Sequence, residues 1–165
     1  MTRIFVIDTG YLLEFFRVPG HSKDEHVKEV RKRHQQAIEN KDRLYVPIAC
    51  VFELANHIAH IDDGNRRRKT ALSFSDYIRE SIDSDSPWNI VPFEEGLKTY
   101  FIPLIREFME HYIQMNIGLT DTTVIREAIR LKAKYKKSGN SVHIWTKDIS
   151  LKAYEPDTEE NPFVG

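Results

Sequence analysis

The opening run RIFVID, residues 3–8, constrains the fold more than any other feature of the chain. It is an unbroken series of apolar side chains, three of them β-branched, that ends in a carboxylate. Runs of this kind are typical of strands with both faces buried, which belong to parallel sheets covered by helices. Thr9-Gly10 and the apolar residues 11–16 then predict a tight turn and a short helix. The chain therefore begins with the strand-turn-helix unit of an α/β fold.

The rest of the chain repeats this alternation of strand and helix. Strands are predicted at residues 43–47, 88–93 and 142–146, and helices at residues 22–40, 49–61, 66–82, 122–136 and 95–115, the last interrupted at Pro103. Alternating elements favour right-handed crossovers, so we expect a three-layer α/β domain over residues 1–154, with a short central parallel sheet of four to five strands flanked by helices. Residues 155–165 are acidic and are predicted to be a flexible tail.

Length and composition favour one domain in a reducing compartment. The 165 residues are 41% hydrophobic and 30% charged, which suffices for a single core without disulfides. Cys50 is the only cysteine and lies among apolar residues, which predicts a buried thiol rather than a bridge. The first apolar run is too short for a signal peptide, and no stretch approaches the ~20 apolar residues of a membrane helix. We therefore expect a cytoplasmic protein with no membrane partner.

The net charge of −1 argues at first against a nucleic-acid partner, because phosphate binding favours excess positive charge. The C-terminal segment changes this balance, since it carries four acids and no base and leaves 24 basic against 21 acidic residues over positions 1–154. Basic runs at residues 31–33, 66–69 and 132–137 are candidates for contact with a phosphate backbone, although solvated helix faces commonly carry such runs. The composition is therefore compatible with a nucleic-acid substrate.

Four carboxylates lie near one edge of the predicted sheet. Asp8 ends the first strand and Asp148 lies just beyond the fourth, at the carboxyl ends of strands, where parallel sheets bind ligands. Glu53 lies early in the helix after the second strand, and Asp121 opens the helix before the fourth. Like charges this close oppose folding unless a cation is bound. Oxygen ligands suit Mg²⁺ or Mn²⁺, which can activate water for attack on a phosphate.

Each of these acids also has an ordinary structural interpretation. Asp8 can be the polar end of a strand, Asp121 a helix cap and Glu53 an exposed helix residue. Glu53, His57 and His60 share a helix face, which raises a transition-metal site as an alternative. No second ligand motif accompanies them, and a mixed polar face is favoured. The metal hypothesis therefore depends on the four acids taken together.

The segments around these acids are FVIDTGYLL (residues 5–13), VFELA (51–55), LTDTTV (119–124) and IWTKDISL (144–151). In this order they resemble the four acidic motifs of PIN-domain ribonucleases, many of which are toxins of VapC-type toxin-antitoxin pairs. The resemblance implies a PIN-like fold whose catalytic residues Asp8, Glu53, Asp121 and Asp148 hold one or two Mg²⁺ or Mn²⁺ ions. Thr146 matches the hydroxyl residue two positions before the last acid, and would orient that acid or a water on the metal.

On this resemblance we expect a metal-dependent endoribonuclease that leaves a 5′-phosphate and a 3′-hydroxyl. RNA would be the substrate, and a small antitoxin protein and a second copy of the chain, in a homodimer, would be partners. Three alternatives stay open: a catalytically silent PIN-like scaffold that binds RNA or assembles with other proteins, a DNA-directed nuclease, and a phosphatase. Haloacid-dehalogenase-like phosphatases need a second Asp two residues after the first, and here that position is Gly10.

Overall fold

A four-stranded, all-parallel sheet forms the centre of the protein, in a computed structural model that describes residues 1–94 and 96–163. The strands are β1 (Arg3–Ile7), β2 (Arg43–Pro47), β3 (Trp88–Val91) and β4 (Ser141–Trp145), in the order β3-β2-β1-β4. In the register of the sheet, Phe5 of β1 lies between Leu44 of β2 and His143 of β4. The predicted α/β class and the parallel sheet are confirmed, and the sheet has the smaller of the two expected strand numbers.

Helices flank this sheet. The α-helices are α1 (Thr9–Phe15), α2 (Asp24–Glu39), α3 (Ile48–Ala59), α4 (Gly64–Ser84), α5 (Ile102–Glu107), α6 (Leu119–Lys134) and α7 (Ile149–Lys152). α2 contacts β2, α4 contacts β3, and α6 contacts β1, β2 and β4, while α3 packs against α1, α4 and α6. The arrangement is consistent with a three-layer α/β fold. None of the described helices combines the length and the apolar character required to span a bilayer.

The core forms around β1, as its unbroken apolar sequence predicts. Ile4, Phe5, Val6 and Ile7 are all at most 1% exposed, so both faces of this strand are covered. The ring of Phe5 lies 4.2 Å from that of Trp145, and Trp145 in turn stacks on Tyr11 of α1 at 5.0 Å. This aromatic contact joins β1, β4 and α1, the elements whose ends carry Asp8 and Asp148.

The segment between β3 and α6 is helical over residues 97–115, as predicted for 95–115, but its helical geometry changes along its length. Two π-helical stretches, Leu97–Phe101 and Phe108–Tyr112, lie on either side of α5, and a 3₁₀ turn, Ile113–Met115, follows the second. Pro103 lies in the first turn of α5, directly after the first π-helical stretch, so the predicted interruption at Pro103 is a change from π to α geometry within a continuous helical segment. Position 95, the predicted helix start, lies outside the described residues.

The C-terminal segment differs from the predicted flexible tail. β4 is an edge strand, and the carboxylates of Asp157 and Glu155 accept hydrogen bonds from the N–H groups of Val142 (2.7 Å) and Ile144 (3.1 Å). The N–H of Asp157 returns a bond to the carbonyl of Val142. Acidic side chains thus satisfy the edge that would otherwise be open to pairing, and this long-range contact leaves no local pattern in the sequence. The ring of Phe163, in the same segment, contacts that of Tyr11 at 5.7 Å.

Candidate functional site

Three of the four acids act as local caps near the carboxyl ends of the strands. Asp8 follows β1 directly and caps α1, its Oδ1 accepting the N–H of Tyr11 at 2.9 Å. Asp148 caps α7 by accepting the N–H groups of Ser150 (2.7 Å) and Leu151 (3.3 Å). Asp121 lies in the first turn of α6 and accepts the N–H of Gly118 at 3.3 Å. The capping role considered for Asp121 is therefore real, Asp8 and Asp148 also act as caps, and these bonds determine where the carboxylates lie.

Thr146 connects two of these acids through its hydroxyl. Its Oγ1 donates to Oδ2 of Asp8 at 2.5 Å and accepts the N–H of Asp148 at 2.9 Å. Thr146 is 2% exposed, and its hydroxyl has a single proton, which it donates to Asp8 while the oxygen accepts from Asp148. Thr146 was predicted to orient Asp148 or a water on the metal, whereas its hydroxyl positions the side chain of Asp8 and contacts only the backbone of Asp148.

The acids interact electrostatically across the sheet edge. Burial raises the pKa of Asp8 to about 7, against the lowering effect of its hydrogen bonds from Thr146 and Tyr11, and the charges of Asp121 and Asp148 raise it further. Burial also raises the pKa of Asp121, and the charges of Glu53 and Asp148 add to the effect. Asp8 is therefore affected by the charges of Asp121 and Asp148, and Asp121 by those of Glu53 and Asp148. Glu53 thus interacts electrostatically with the group through Asp121.

No cation of the described chain offsets this negative charge. None of the four acids forms an ion pair with a described Lys, Arg or His side chain. The oxygen-only donors and the raised pKa of Asp8 fit a hard divalent ion, which would replace the missing positive charge. In the described residues, however, no three acidic, His or Cys side chains are close enough to hold one ion. Glu53 is half-buried and Asp148 exposed, so both side chains can turn without repacking the core.

A buried ion pair beside the acids was not anticipated from the sequence. Lys147, between Thr146 and Asp148, extends its Nζ to Oε1 of Glu14 at 2.5 Å, and Glu14 is fully buried. Glu14 also accepts the N–H of Lys23 at 2.9 Å, so its charge is well satisfied. This ion pair connects α1 to the loop after β4, and it pairs Lys147 with Glu14 and not with one of the four acids. The sequence feature that could have indicated this ion pair is the single carboxylate in the otherwise apolar segment YLLEFF, residues 11–16.

Among the described residues, His57 and His60 are not part of any cluster that could hold a transition metal. The ring of His57 packs against that of His21 at 4.3 Å, and Nδ1 of His60 lies 2.7 Å from the carbonyl of Asn56. Partial burial lowers the pKa of His57, and nearby His21 lowers it further. The structure therefore favours the mixed polar face, with His21 as a neighbour that helical spacing could not reveal.

Comparison with known proteins adds no family assignment. Neither a scan against protein-family models nor a search of curated proteins finds a match to this chain. The likeness of the four motifs to PIN domains therefore stays a prediction.

Proposed function

We propose that the protein is a PIN-like, metal-dependent endoribonuclease whose site is formed by Asp8, Glu53, Asp121 and Asp148, positioned with the help of Thr146. The observation that carries this proposal is a group of interacting carboxylates at the carboxyl edge of a parallel sheet, none neutralised by a described basic side chain. Such a group is electrostatically unfavourable for the folded protein by itself. A cation-binding role explains why these acids occur together.

Some residues of the proposed site would bind the ion, and others would hold its ligands in position. A bound Mg²⁺ or Mn²⁺ would supply Lewis acidity towards water and offset charge on the phosphate. Asp8 is held on both carboxylate oxygens, by Tyr11 and Thr146, and would be the most rigid ligand. Asp148 has one oxygen committed to the α7 N-terminus, which leaves the other for the ion.

Cleavage assays test the activity and the site together. Purified protein is incubated with labelled RNA and with DNA of the same sequence, in Mn²⁺, Mg²⁺ or EDTA. We expect RNA to be cut only with a divalent ion, and the double variant Asp8→Asn, Asp148→Asn to be inactive. The matched control is Asp76→Asn, Asp83→Asn, which removes two exposed acids from α4. Cleavage in EDTA, or equal cleavage by both double variants, would overturn the proposed site.

The same assay separates the alternatives. Preferential cutting of DNA would make the protein a DNA-directed nuclease with the same metal chemistry. Binding of RNA without cleavage of any substrate, in every metal tried, would favour the scaffold interpretation. Because the ion binds the folded state, Mn²⁺ at about a hundred times its Kd should stabilise the wild type by about 2.7 kcal/mol and leave the site double variant unchanged.

The toxin role depends on the resemblance alone. If it is correct, a short reading frame beside this one encodes a protein that binds the chain and blocks its cleavage of RNA. A lone gene, or a neighbouring product that leaves cleavage unaffected, would count against it.

A further inference from the structure

An open groove of about 830 Å³ lies between the end of α1, α2 and the first half of α4. Four basic residues line it, brought together from three parts of the chain: Arg17, Arg31, Arg66 and Lys69. Asn65, Thr70 and Ser73 add polar side chains. No carboxylate is among the described residues that line the groove. This composition distinguishes it from the cavity beside α6, where Arg126 and Arg130 face Glu94, Glu107 and Glu127.

The cations of this groove, which we call the basic groove, are largely free of acidic partners. Only Arg17 forms an ion pair within the described chain, with Asp24 at 2.7 Å, and both side chains are more than half exposed. Arg31 donates to the carbonyl of Phe15 at 3.1 and 3.2 Å, and Arg66 to the carbonyl of Arg17 at 3.3 Å. These bonds orient the guanidinium groups without neutralising their charge.

Other basic residues of the chain are neutralised instead. Arg33, two positions after Arg31, pairs with Glu159 at 2.7 Å and lies over the Trp145 ring at 4.9 Å. Lys132 pairs with Asp157 at 2.6 Å. The acidic C-terminal segment thus removes positive charge from one side of the domain. At the basic groove, by contrast, the exposed pair of Arg17 with Asp24 is the sole ion pair of the four lining cations within the described chain.

Aromatic side chains form part of the floor of the basic groove. Phe15 and Tyr77 are half-buried and lie 5.1 Å apart, so each leaves part of its ring accessible. Cations that follow a phosphate backbone, together with aromatic rings on which bases stack, are the combination that binds single-stranded nucleic acid. An acidic peptide would use the cations but would not require the rings.

The basic groove lies at the far end of the helix that follows Asp8. Helix α1 begins directly after Asp8 and ends at Phe15, which lines the groove, and its axial rise is about 10 Å. The groove and the proposed metal site are therefore at opposite ends of one short helix.

We infer that the basic groove binds the phosphate backbone of single-stranded RNA next to the cleaved bond, through Arg17, Arg31, Arg66 and Lys69. That the bound RNA strand leads towards the four acids rests on the proposed function, but RNA binding can be measured without cleavage. Arg31 of the basic run 31–33, and Arg66 and Lys69 of the run 66–69, thus belong to one surface. The basic run 132–137 is not part of it.

Fluorescence anisotropy in EDTA tests the inference, with a short labelled single-stranded RNA of mixed sequence as probe. The variant Arg66→Gln, Lys69→Gln removes two exposed charges that make no ion pair in the described chain. The matched control Lys136→Gln, Lys137→Gln removes two exposed charges beyond α6. We expect the Kd of the groove variant to rise about tenfold or more, and the slope of log Kobs against log salt to become shallower by roughly 1.4, the value for two lost single-strand phosphate contacts. The control should change by less than about twofold.

Equal losses in the two variants would show non-specific attraction and overturn the inference, as would unchanged binding in the groove variant. Competition by a poly-glutamate peptide at the concentration of the RNA would also overturn it, in favour of an acidic protein partner. Circular dichroism confirms that each variant is folded. Loss of RNA cleavage in the site double variant with retained binding would support the basic groove independently, whereas groove-dependent binding without any cleavage would overturn only the proposed catalytic function.

Discussion

Thr146 at the end of β4 donates a hydrogen bond to Asp8 at the end of β1, across a separation of 138 residues. The bond joins the two neighbouring strands at the edge where the acids lie, and it has no counterpart in local sequence. Because Thr146 also accepts the N–H of Asp148, a single hydroxyl connects the first and last of the predicted acidic motifs. Four predictions follow from this and from the other buried polar contacts.

Replacing Thr146 by Val should destabilise the protein by about 1–3 kcal/mol, because it leaves the buried Asp8 oxygen and the Asp148 N–H without their partner. In the wild type the hydrogen bond from Thr146 lowers the pKa of Asp8, so its loss in the variant should raise that pKa further. Urea denaturation of Thr146→Val measures the change. Thr146→Ser, which keeps the hydroxyl, is the control. Equal destabilisation of the two variants would show that the methyl group matters and the hydrogen bond does not.

The stability of the wild type should decrease as pH rises through the range in which Asp8 ionises. Asp8 has a pKa of about 7 in the folded protein and 3.8 as its usual value, so the folded state keeps a proton that the unfolded chain has lost. Its contribution is fully present below about pH 4 and is lost as pH approaches 7. Relative to wild type, Asp8→Asn should therefore gain on the order of 4 kcal/mol between about pH 4 and pH 8.

Urea denaturation in EDTA at several pH values measures this difference between Asp8→Asn and wild type. The exposed-acid variant Asp76→Asn serves as control and should follow the wild-type pH profile. A constant stability difference between Asp8→Asn and wild type would mean that Asp8 ionises in the folded protein at its usual pKa.

His34 should make the protein sensitive to acid. Burial lowers its pKa to about 4, and its Nε2 accepts the indole N–H of Trp88 at 3.0 Å, which requires the neutral ring. The unfolded chain binds the proton near the usual pKa of 6.5, so stability is complete above that pH and is lost as pH falls towards 4. The loss attributable to His34 should reach about 3 kcal/mol.

The variant His34→Gln keeps an acceptor for Trp88 and cannot titrate, so it should show a weaker acid dependence in thermal denaturation between about pH 6.5 and 4. His60→Gln changes an exposed histidine and is the matched control. Identical acid profiles for His34→Gln and wild type would contradict the prediction.

The C-terminal segment should contribute to stability through Asp157. Although burial alone would raise its pKa, hydrogen bonds from Lys132 and from the N–H of Val142 hold the pKa of Asp157 below its usual value. Asp157→Asn should cost about 1–3 kcal/mol at neutral pH, because it weakens both bonds at the open edge of β4. Glu160→Gln removes an exposed acid from the same segment and should cost less than about 0.5 kcal/mol.

Chemical denaturation compares these two C-terminal variants with wild type. Since the stabilising contribution of Asp157 exists only when it is ionised, the cost of Asp157→Asn should disappear as pH falls through its lowered pKa. A cost no larger than that of Glu160→Gln would mean that the segment is a flexible tail after all.

The order and type of the principal elements could be predicted because short-range patterns specify them. The unbroken run of β1 required burial on both faces, and the apolar spacing of α3 and α6 required helices packed on one side. Placement of Asp8 and Asp148 at one edge followed from the parallel sheet. The helical segment predicted over residues 95–115, interrupted at Pro103, contains π and 3₁₀ stretches that local apolar spacing could not predict, because this spacing does not distinguish α from π turns.

What the sequence determined by itself was therefore the α/β class, the parallel sheet and the edge at which its acids lie, since each depends on residues close together in the chain. Tertiary structure decided which charges are satisfied. It paired Lys147 with Glu14 and Arg33 with Glu159, and left Arg31 and Arg66 facing one groove. Ion pairs and burial depend on which elements pack together, and packing brings together residues that the sequence keeps far apart.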